Sequence, residues 1–570
     1  MTHKDHRGHH GKHDAAWKTF KKKETGLPTY KPKHFAKLEQ RVSGRVQVAG
    51  APGYNDDRMV FMHTYQQYPQ VIVYCECETD VVAALKFARK SRLMVTARSG
   101  GHCTAGYSVN DQVVIDTSGL NHVIVDEDAP SVRCGPGVAF RKLNRMLEYH
   151  KLHLPGGGCE TVNVAGYMMG GGYGFTSRLF GMNCDRVTGV RMALADGSIV
   201  NANAQENTDL FWAVRGGTGN QFGILLEITY DPVPLDRKFF GFGLRWDMRH
   251  KHEADIARVC RVLELLQAEY SNCVPKKSDC EPKKSDCEPE KSDCEPENSD
   301  CEPENSNCEP ENSNCAPAKM GHQALLMYLP DANHPDGQIP CLSLRGLYDG
   351  TRDEAKPALD PLLDTLEDPQ KDVEIWTHKH HYMRLNEILL QTVNPPGNDM
   401  PTVSMNTKPL VEGWLINEHY TADRWREVVE HFLNAPDKTC FIALEFYGGA
   451  IADRDPTEMA FVHRDPSVDM FSWAFWTFDS HKDATVKWLD DLGTIAKAMG
   501  SGRRYQNYPR RGTEDFLTAY FGENLTRLQE IKAAYDPHNM FWFEQSIGPK
   551  PAPPEKHPRK QSDIEKGEPS

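Results

Sequence analysis

The 570-residue sequence contains no apolar run near the roughly 18 residues that a membrane span needs. Its start, Met1-Thr2-His3-Lys4-Asp5-His6, lacks the apolar stretch of a secretory signal. It has no excess of positive charge either. Lys and Arg number 66 against 80 Asp and Glu, a net of −14, which argues against binding nucleic acid by bulk charge. C-x-x-C spacing is absent, and so is the G-x-G-x-x-G of a nicotinamide dinucleotide site. What remains is 39% hydrophobic and 9% aromatic, which excludes wholesale disorder, and is long enough for two domains.

Cysteine, by contrast, is plentiful, with 16 residues. Seven of them, Cys273, Cys280, Cys287, Cys294, Cys301, Cys308 and Cys315, follow a strict seven-residue period. The unit reads Cys-Glu-Pro-Glu-Asn-Ser-Asp, and a helix would meet a proline in every second turn at about 3 kcal/mol each. No apolar a/d pair recurs, so a coiled coil is excluded. With 13 acids and 5 lysines, the stretch 273–315 reads as a solvated low-complexity insert, with a metal or thiol tract as the alternative. Residues 1–34 carry nine Lys or Arg, three acids and six histidines. They read as a basic disordered tail, although His9, His10 and His13 could bind metal loosely. The Pro-, Lys- and Glu-rich stretch 549–570 reads as a second tail.

Core-like patterning alternates between strand and helix. Gln70–Tyr74 and Leu93–Ala97 read as strands flanking a helix over 79–91, with Val81, Val82, Leu85 and Ala88 on one face. Further strands are expected at Val113–Ile115 and Val132–Cys134, a helix at 138–150, and a hairpin over Arg191–Asn203 turning at Asp196-Gly197. The second half predicts a helix at Ala422–Leu433, strands at Phe441–Phe446 and Met470–Phe478, and one long helix over 514–534. The fold class is therefore α+β, with two sheets expected.

Two stretches are dense in glycine. Arg98-Ser99-Gly100-Gly101-His102 follows a strand, and Gly156-Gly157-Gly158-Cys159 is followed by Gly166 and Gly170-Gly171-Gly172-Tyr173-Gly174. Glycines let backbone amides approach a ligand, and successive N–H groups make nests suited to a pyrophosphate. A purely structural reading of these turns is equally open.

Five blocks in order carry a resemblance. They are Arg98–His102, Cys159–Gly174, Leu210–Gly223, Tyr505-Gln506-Asn507-Tyr508, and Tyr535–Phe541 with Gln545–Ile547. Between about Arg41 and Ile547 the chain resembles the berberine bridge enzyme-like FAD-linked oxidases of the vanillyl-alcohol oxidase superfamily. The resemblance implies a two-part FAD-binding domain, over 35–235 and 496–548, around a substrate domain over 236–495 with an antiparallel sheet covered by helices. It implies FAD bound covalently by His102 and Cys159, whose imidazole and thiolate are suitable nucleophiles. Arg98, Ser99, Gly100, Gly101, Gly171, Gly172, Gly174 and Asn507 are the other expected cofactor-binding residues, and Cys103 is a bystander. Val162 falls at the family's oxygen gatekeeper, where valine is the oxidase-like choice and favours O2 as acceptor.

For catalysis the resemblance points to Tyr508 as the proton acceptor and to Glu445 as its carboxylate partner. Such a partner can lower the tyrosine's effective pKa by taking its proton. Strand alternation leaves the facing of Glu445 undecided. Tyr173 matches an active-site position, with a packing role as the alternative. The family's Gly-Gly-His is here Ala165-Gly166-Tyr167, so that histidine's role is absent or altered. Where oligosaccharide-oxidising relatives carry glutamines, this chain has Ala443-Leu444-Glu445 and Phe471–Trp476, an apolar surface unless these aromatics are simply core.

The expected activity is oxidation of a small alcohol, phenol or amine by FAD, with O2 reduced to hydrogen peroxide. A carbohydrate C1 oxidase is the alternative in the same class. A thiol or metal protein built on the repeat, and a flavoprotein that has lost catalysis, are alternatives outside it. The expected partners are a small-molecule substrate and O2, with no nucleic acid, membrane or metal. The expected compartment is the reducing cytoplasm.

Overall fold

The computed structural model describes residues 34–250, 252–271, 319–391, 407–500 and 502–551. The readings of the basic tail, the cysteine repeat and nearly all of the C-terminal tail lie outside the described residues.

Three large sheets form, one more than the two expected, because strands far apart in sequence pair. The first holds β1 (Val46–Val48), β2 (Val71–Tyr74), β3 (Val95–Arg98) and β4 (Val113–Asp116) in the order β1-β2-β4-β3. Both β2 and β3 run parallel to β4. The helix Glu78–Ser91 links β2 to β3 and buries Val81, Ala84, Leu85 and Ala88, an i, i+3, i+4, i+7 stripe. Ala84 takes the place expected of Val82, which is only half-buried. The helix ends at Arg92 in the left-handed conformation, φ 53°.

Next come β5 (Val123–Asp126), β6 (Ser131–Cys134), the short β7 (Leu152–His153), β8 (Val187–Ala193), β9 (Ile199–Asn203), β10 (Ile224–Tyr230) and β11 (Val233–Pro234). Five of them form an antiparallel sheet in the order β5-β6-β10-β8-β9, while β7 pairs with β11. The β8–β9 hairpin turns at Asp196-Gly197 as expected, with Gly197 at φ 85°.

The third sheet has seven antiparallel strands. They are β12 (Phe239–Asp247), β13 (Met320–Pro330), β14 (Gln338–Tyr348), β15 (Val373–His380), β16 (Lys408–Ile416), β17 (Phe441–Phe446) and β18 (Val468–Trp476). Their order is β15-β12-β14-β13-β17-β18-β16. The helices Glu253–Tyr270, Ala422–Leu433 and Lys482–Met499 pack on one face with Met470, Ala474 and Trp476 of β18 and Ile442, Leu444 and Phe446 of β17. The other face carries Phe471, Trp473, Phe475, Phe441, Ala443 and Leu325. This alternation settles the facing of Glu445: it lies on the second face, in line with Ala443 and Phe441.

The chain then returns to the N-terminal half. Val95 donates its backbone N–H to the carbonyl of Met540 (2.9 Å), and buried Lys532 donates to that of Gln221 (2.6 Å). The helix expected over 514–534 is broken. Phe516–Phe521 and Leu525–Tyr535 are separated by a tight turn at Gly522–Asn524, where Gly522 adopts φ 46°.

Candidate active site

Between the second face of the seven-stranded sheet and the glycine-rich turns lies a cavity of about 780 Å³. That volume suits a cofactor-sized ligand. Its walls include Ser99–Cys103, Gly157–Val162 and Thr218–Asn220 on one side, and Gln323, Leu325, Arg345, Phe441, Glu445, Phe471 and Trp473 on the other.

His102 and Cys159, remote in sequence, meet at Thr161. Its Oγ1 lies 3.3 Å from His102 Nε2 and 3.5 Å from Cys159 Sγ. Burial holds the imidazole below its ordinary pKa, so it is neutral, and nucleophilic, at neutral pH. Phe61 stacks on His102 at 4.8 Å and meets the edge of Trp473 at 6.0 Å. The Cys103 thiol is pushed up by burial, which suits a bystander.

The glycines supply close approach. A Cβ on Gly174 would stand 2.0 Å from the Gly156 carbonyl oxygen, and one on Gly170 would stand 1.9 Å from Asn507 Oδ1. Asn507 donates to the Tyr167 carbonyl (2.9 Å) and to the Tyr505 hydroxyl (3.0 Å), which accepts from the Gly172 N–H (2.8 Å). Tyr167, standing where the family motif has histidine, packs edge-on against Phe140 and donates to the Tyr173 carbonyl.

Three expected cofactor contacts stand behind the cavity instead. Arg98 does not line it: the guanidinium is held by Asp116 (2.5 Å), the Asp57 carbonyl (2.7 Å) and the Tyr74 hydroxyl (3.1 Å). These bonds brace the turn that presents Ser99–His102. Gly171 and Gly172, at φ 111° and 86°, also lie outside the lining and turn the chain toward Tyr173. Ser99, Gly100, Gly101, Gly174, Asn507 and Val162 do line it.

Opposite these turns, Tyr508 donates its hydroxyl to Glu445, 3.2 Å from Oε1 and 3.4 Å from Oε2. Tyr508 also stacks on Phe471 at 4.4 Å. Gln323 Nε2 donates to Glu445 Oε1 (3.2 Å), and Arg345 donates to Gln323 Oε1 (2.7 Å) and to the Leu389 carbonyl (3.0 Å). Burial raises Glu445 well above the ordinary carboxylate range. The Tyr508 phenol is pushed up by burial and then by the charge of Glu445, so at rest it keeps its proton. Glu445 therefore does not make the free phenol acidic; it accepts the hydrogen bond of a phenol that keeps its proton. Tyr173 lines the cavity, but its hydroxyl donates to the Phe446 carbonyl (3.0 Å), with that of His322 at 3.4 Å.

Thr161, Gln323 and Arg345 line the cavity and Asp469 lies opposite Glu445, and none of the four stands out as a site residue in the sequence. Thr161 lies inside the Cys159 block, where its position is the only signal. The other three sit on strands whose register alone brings them here.

The cavity passes a physical test for a flavin. Buried polar atoms on its wall lack partners among the described residues, including Tyr107 Oη, Gln506 Oε1 and Asn386 Oδ1. They stand ready for a polar ligand. Backbone turns free of side chains and two nucleophiles reaching one hydroxyl complete the fit. A second cavity among the described residues, beside Leu152 and Tyr382, is far smaller, about 20 Å³. Among the described residues no group of His, Cys, Asp and Glu could hold a metal, and no helix is long and apolar enough to cross a membrane.

Comparison with known proteins agrees with this geometry. Residues 69–203 match the FAD binding domain model, and residues 504–548 match the model described as berberine and berberine like. An uncharacterized FAD-linked oxidoreductase, YgaK of Bacillus subtilis, is 25% identical over 516 residues, covering 89% of this chain and 98% of its own. A carbohydrate oxidase of Microdochium nivale is 24% identical over 534 residues, 88% of this chain and 92% of its own. The structure of Physcomitrella patens BBE-like 1 superposes with a TM-score of 0.72 at 22% identity, covering 90% of this chain and 99% of that one.

Proposed function

We propose that this berberine bridge enzyme-like FAD-linked oxidoreductase is an oxidase in which His102 and Cys159 both bond to the flavin. Its substrate would be a small alcohol, phenol or amine, with O2 as electron acceptor and hydrogen peroxide as the second product. The observation that carries this reading is that Tyr508 and Glu445 face the same cavity as His102 and Cys159. Bound there, FAD would supply the hydride acceptor.

The chain's own residues account for the proton. A substrate hydroxyl held at Tyr508 Oη would pass its proton to that oxygen as the phenol hands its own to Glu445. Gln323, oriented by Arg345, donates to the ionised carboxylate and keeps it turned toward Tyr508. Phe61, Phe441, Phe471, Trp473 and Leu325 line the substrate side with aromatic and apolar surface. Such a wall favours an aromatic or terpenoid metabolite, because burying its apolar face needs few polar contacts. Val162 on the cavity wall supports O2 as acceptor.

A carbohydrate is the second reading, supported by the carbohydrate oxidase relative. Peroxide release measured with aromatic alcohols and with oligosaccharides separates the two. Flavin absorbance that survives acid precipitation supports covalent attachment, and colour that washes out entirely overturns it.

A further inference from the structure

The strongest group outside the expected site is Asp469. In the β17–β18 register it lies directly opposite Glu445, so both side chains project from the same face of the sheet. Paired side chains in that geometry have Cβ atoms about 5 Å apart. Asp469 is 0% exposed and Glu445 6%. Two carboxylates so close and so dry do not both ionise.

Their surroundings differ. Glu445 accepts from Tyr508 and Gln323, with the Arg345 guanidinium behind the amide. Asp469 has no partner for either oxygen among the described residues. On β16 it faces Leu415, with Gly413 alongside, and neither carries a charge. Glu445 of β17 faces it, and Tyr447 just beyond that strand, Tyr505 and Tyr508 of the C-terminal segment and Tyr173 of the glycine turn lie near enough to feel a charge on it. All four tyrosines are pushed up and keep their protons. A proton shared between the two acids therefore belongs on Asp469, where the anion would have no stabilising donor. Burial pushes both acids well above the ordinary range, in keeping with this.

We propose that Asp469 is a positioning residue that stays protonated, so that the pair carries one negative charge and that charge rests on Glu445, facing Tyr508. The proposal rests on the reading of Tyr508 and Glu445 as the proton acceptors. During turnover the substrate proton moves to Tyr508 and the phenolic proton to Glu445, which leaves both acids neutral. Glu445 returns its proton to water after the product leaves.

Isotope-edited infrared spectroscopy of the flavin-loaded protein, with aspartate carrying ¹³C at the carboxyl, tests this without any substitution. The expected result is a protonated-carboxyl stretch at neutral pH that moves with the aspartate label. No such band, or one that fails to move, overturns the proposal. Asp469→Asn should remove the band, whereas Glu445→Gln should keep it and lower the pH at which it titrates by about one unit or more. A band that titrates unchanged in Glu445→Gln would mark Asp469 as a buried acid with no link to the site. If Asp469 were ionised instead, Asp469→Asn would carry the acid limb of kcat/KM downward by about one unit or more, and a shift of that size also overturns the proposal. Failure of the underlying reading looks different, because turnover would then survive Glu445→Gln and Tyr508→Phe whatever the infrared band does.

Discussion

Tyr508 Oη lies 3.2 Å from one carboxylate oxygen of Glu445 and 3.4 Å from the other. The two residues come from different elements, the C-terminal segment and a central strand of the seven-stranded sheet. In the proposed reaction that contact gives a phenol that keeps its proton at rest a place to pass it.

Tyr508→Phe removes the hydroxyl but keeps the ring that stacks on Phe471. It should lower kcat by about 10²- to 10⁴-fold with flavin content unchanged. Glu445→Gln should cost turnover in the same direction. Steady-state peroxide release, normalised to bound flavin, checks both.

The pH dependence follows from the raised Glu445. Only its ionised form can accept the phenolic proton, so kcat/KM falls as pH drops through a pKa lying above the usual 4.3 or so of a glutamate. Gln323→Leu strips a donor from the carboxylate and disconnects it from Arg345, which should move that acid limb further upward. The same raised pKa has a consequence for stability. The folded chain holds its proton at pH values where the unfolded chain has lost it, so stability declines as pH rises above the ordinary carboxylate range. Kinetic profiles and melting temperatures across pH test the two effects separately.

Thr161 touches both nucleophiles, and Thr161→Val keeps its shape while deleting the shared hydroxyl. The fraction of protein that retains flavin after denaturation should fall, and Thr161→Ser should restore it. Peptide mass spectrometry would show which linkage is missing.

Arg464 and Asp185 form a paired ion bridge at 2.7 Å with side chains 3% and 1% exposed. Asp185→Ala leaves the guanidinium buried and uncompensated, which should cost about 3–5 kcal/mol. A thermal melt showing a change below about 1 kcal/mol would contradict that account.

The described residues that flank the cysteine repeat are tied together by one side chain. Arg178, fully buried, donates to the carbonyls of Ser271 (2.8 Å), Met320 (3.1 Å) and Tyr447. Replacing 272–318 by a short Gly/Ser linker should therefore leave peroxide release per flavin within about twofold. Loss of turnover would favour a function for the repeat itself.

Much of the fold could be read locally. The helix Glu78–Ser91 announces itself through the 3.6-residue spacing of Val81, Leu85 and Ala88, and the β8–β9 turn through Asp196-Gly197. The helix expected over 514–534 failed at one residue, since Gly522 in the left-handed region ends a turn that periodicity alone would continue.

By itself the sequence determined part of the succession of strands and helices, the glycine turns and the blocks holding His102, Cys159 and Tyr508, because each of these is written in neighbouring residues. Only the tertiary structure decided that Glu445 faces the cavity, that Thr161 stands between the two nucleophiles, that Arg98 braces its turn from behind, and that Asp469 is paired with Glu445. Strand register and the return of the C-terminal segment set those relations. Both depend on contacts between residues tens to hundreds of positions apart, for which local spacing carries no signal.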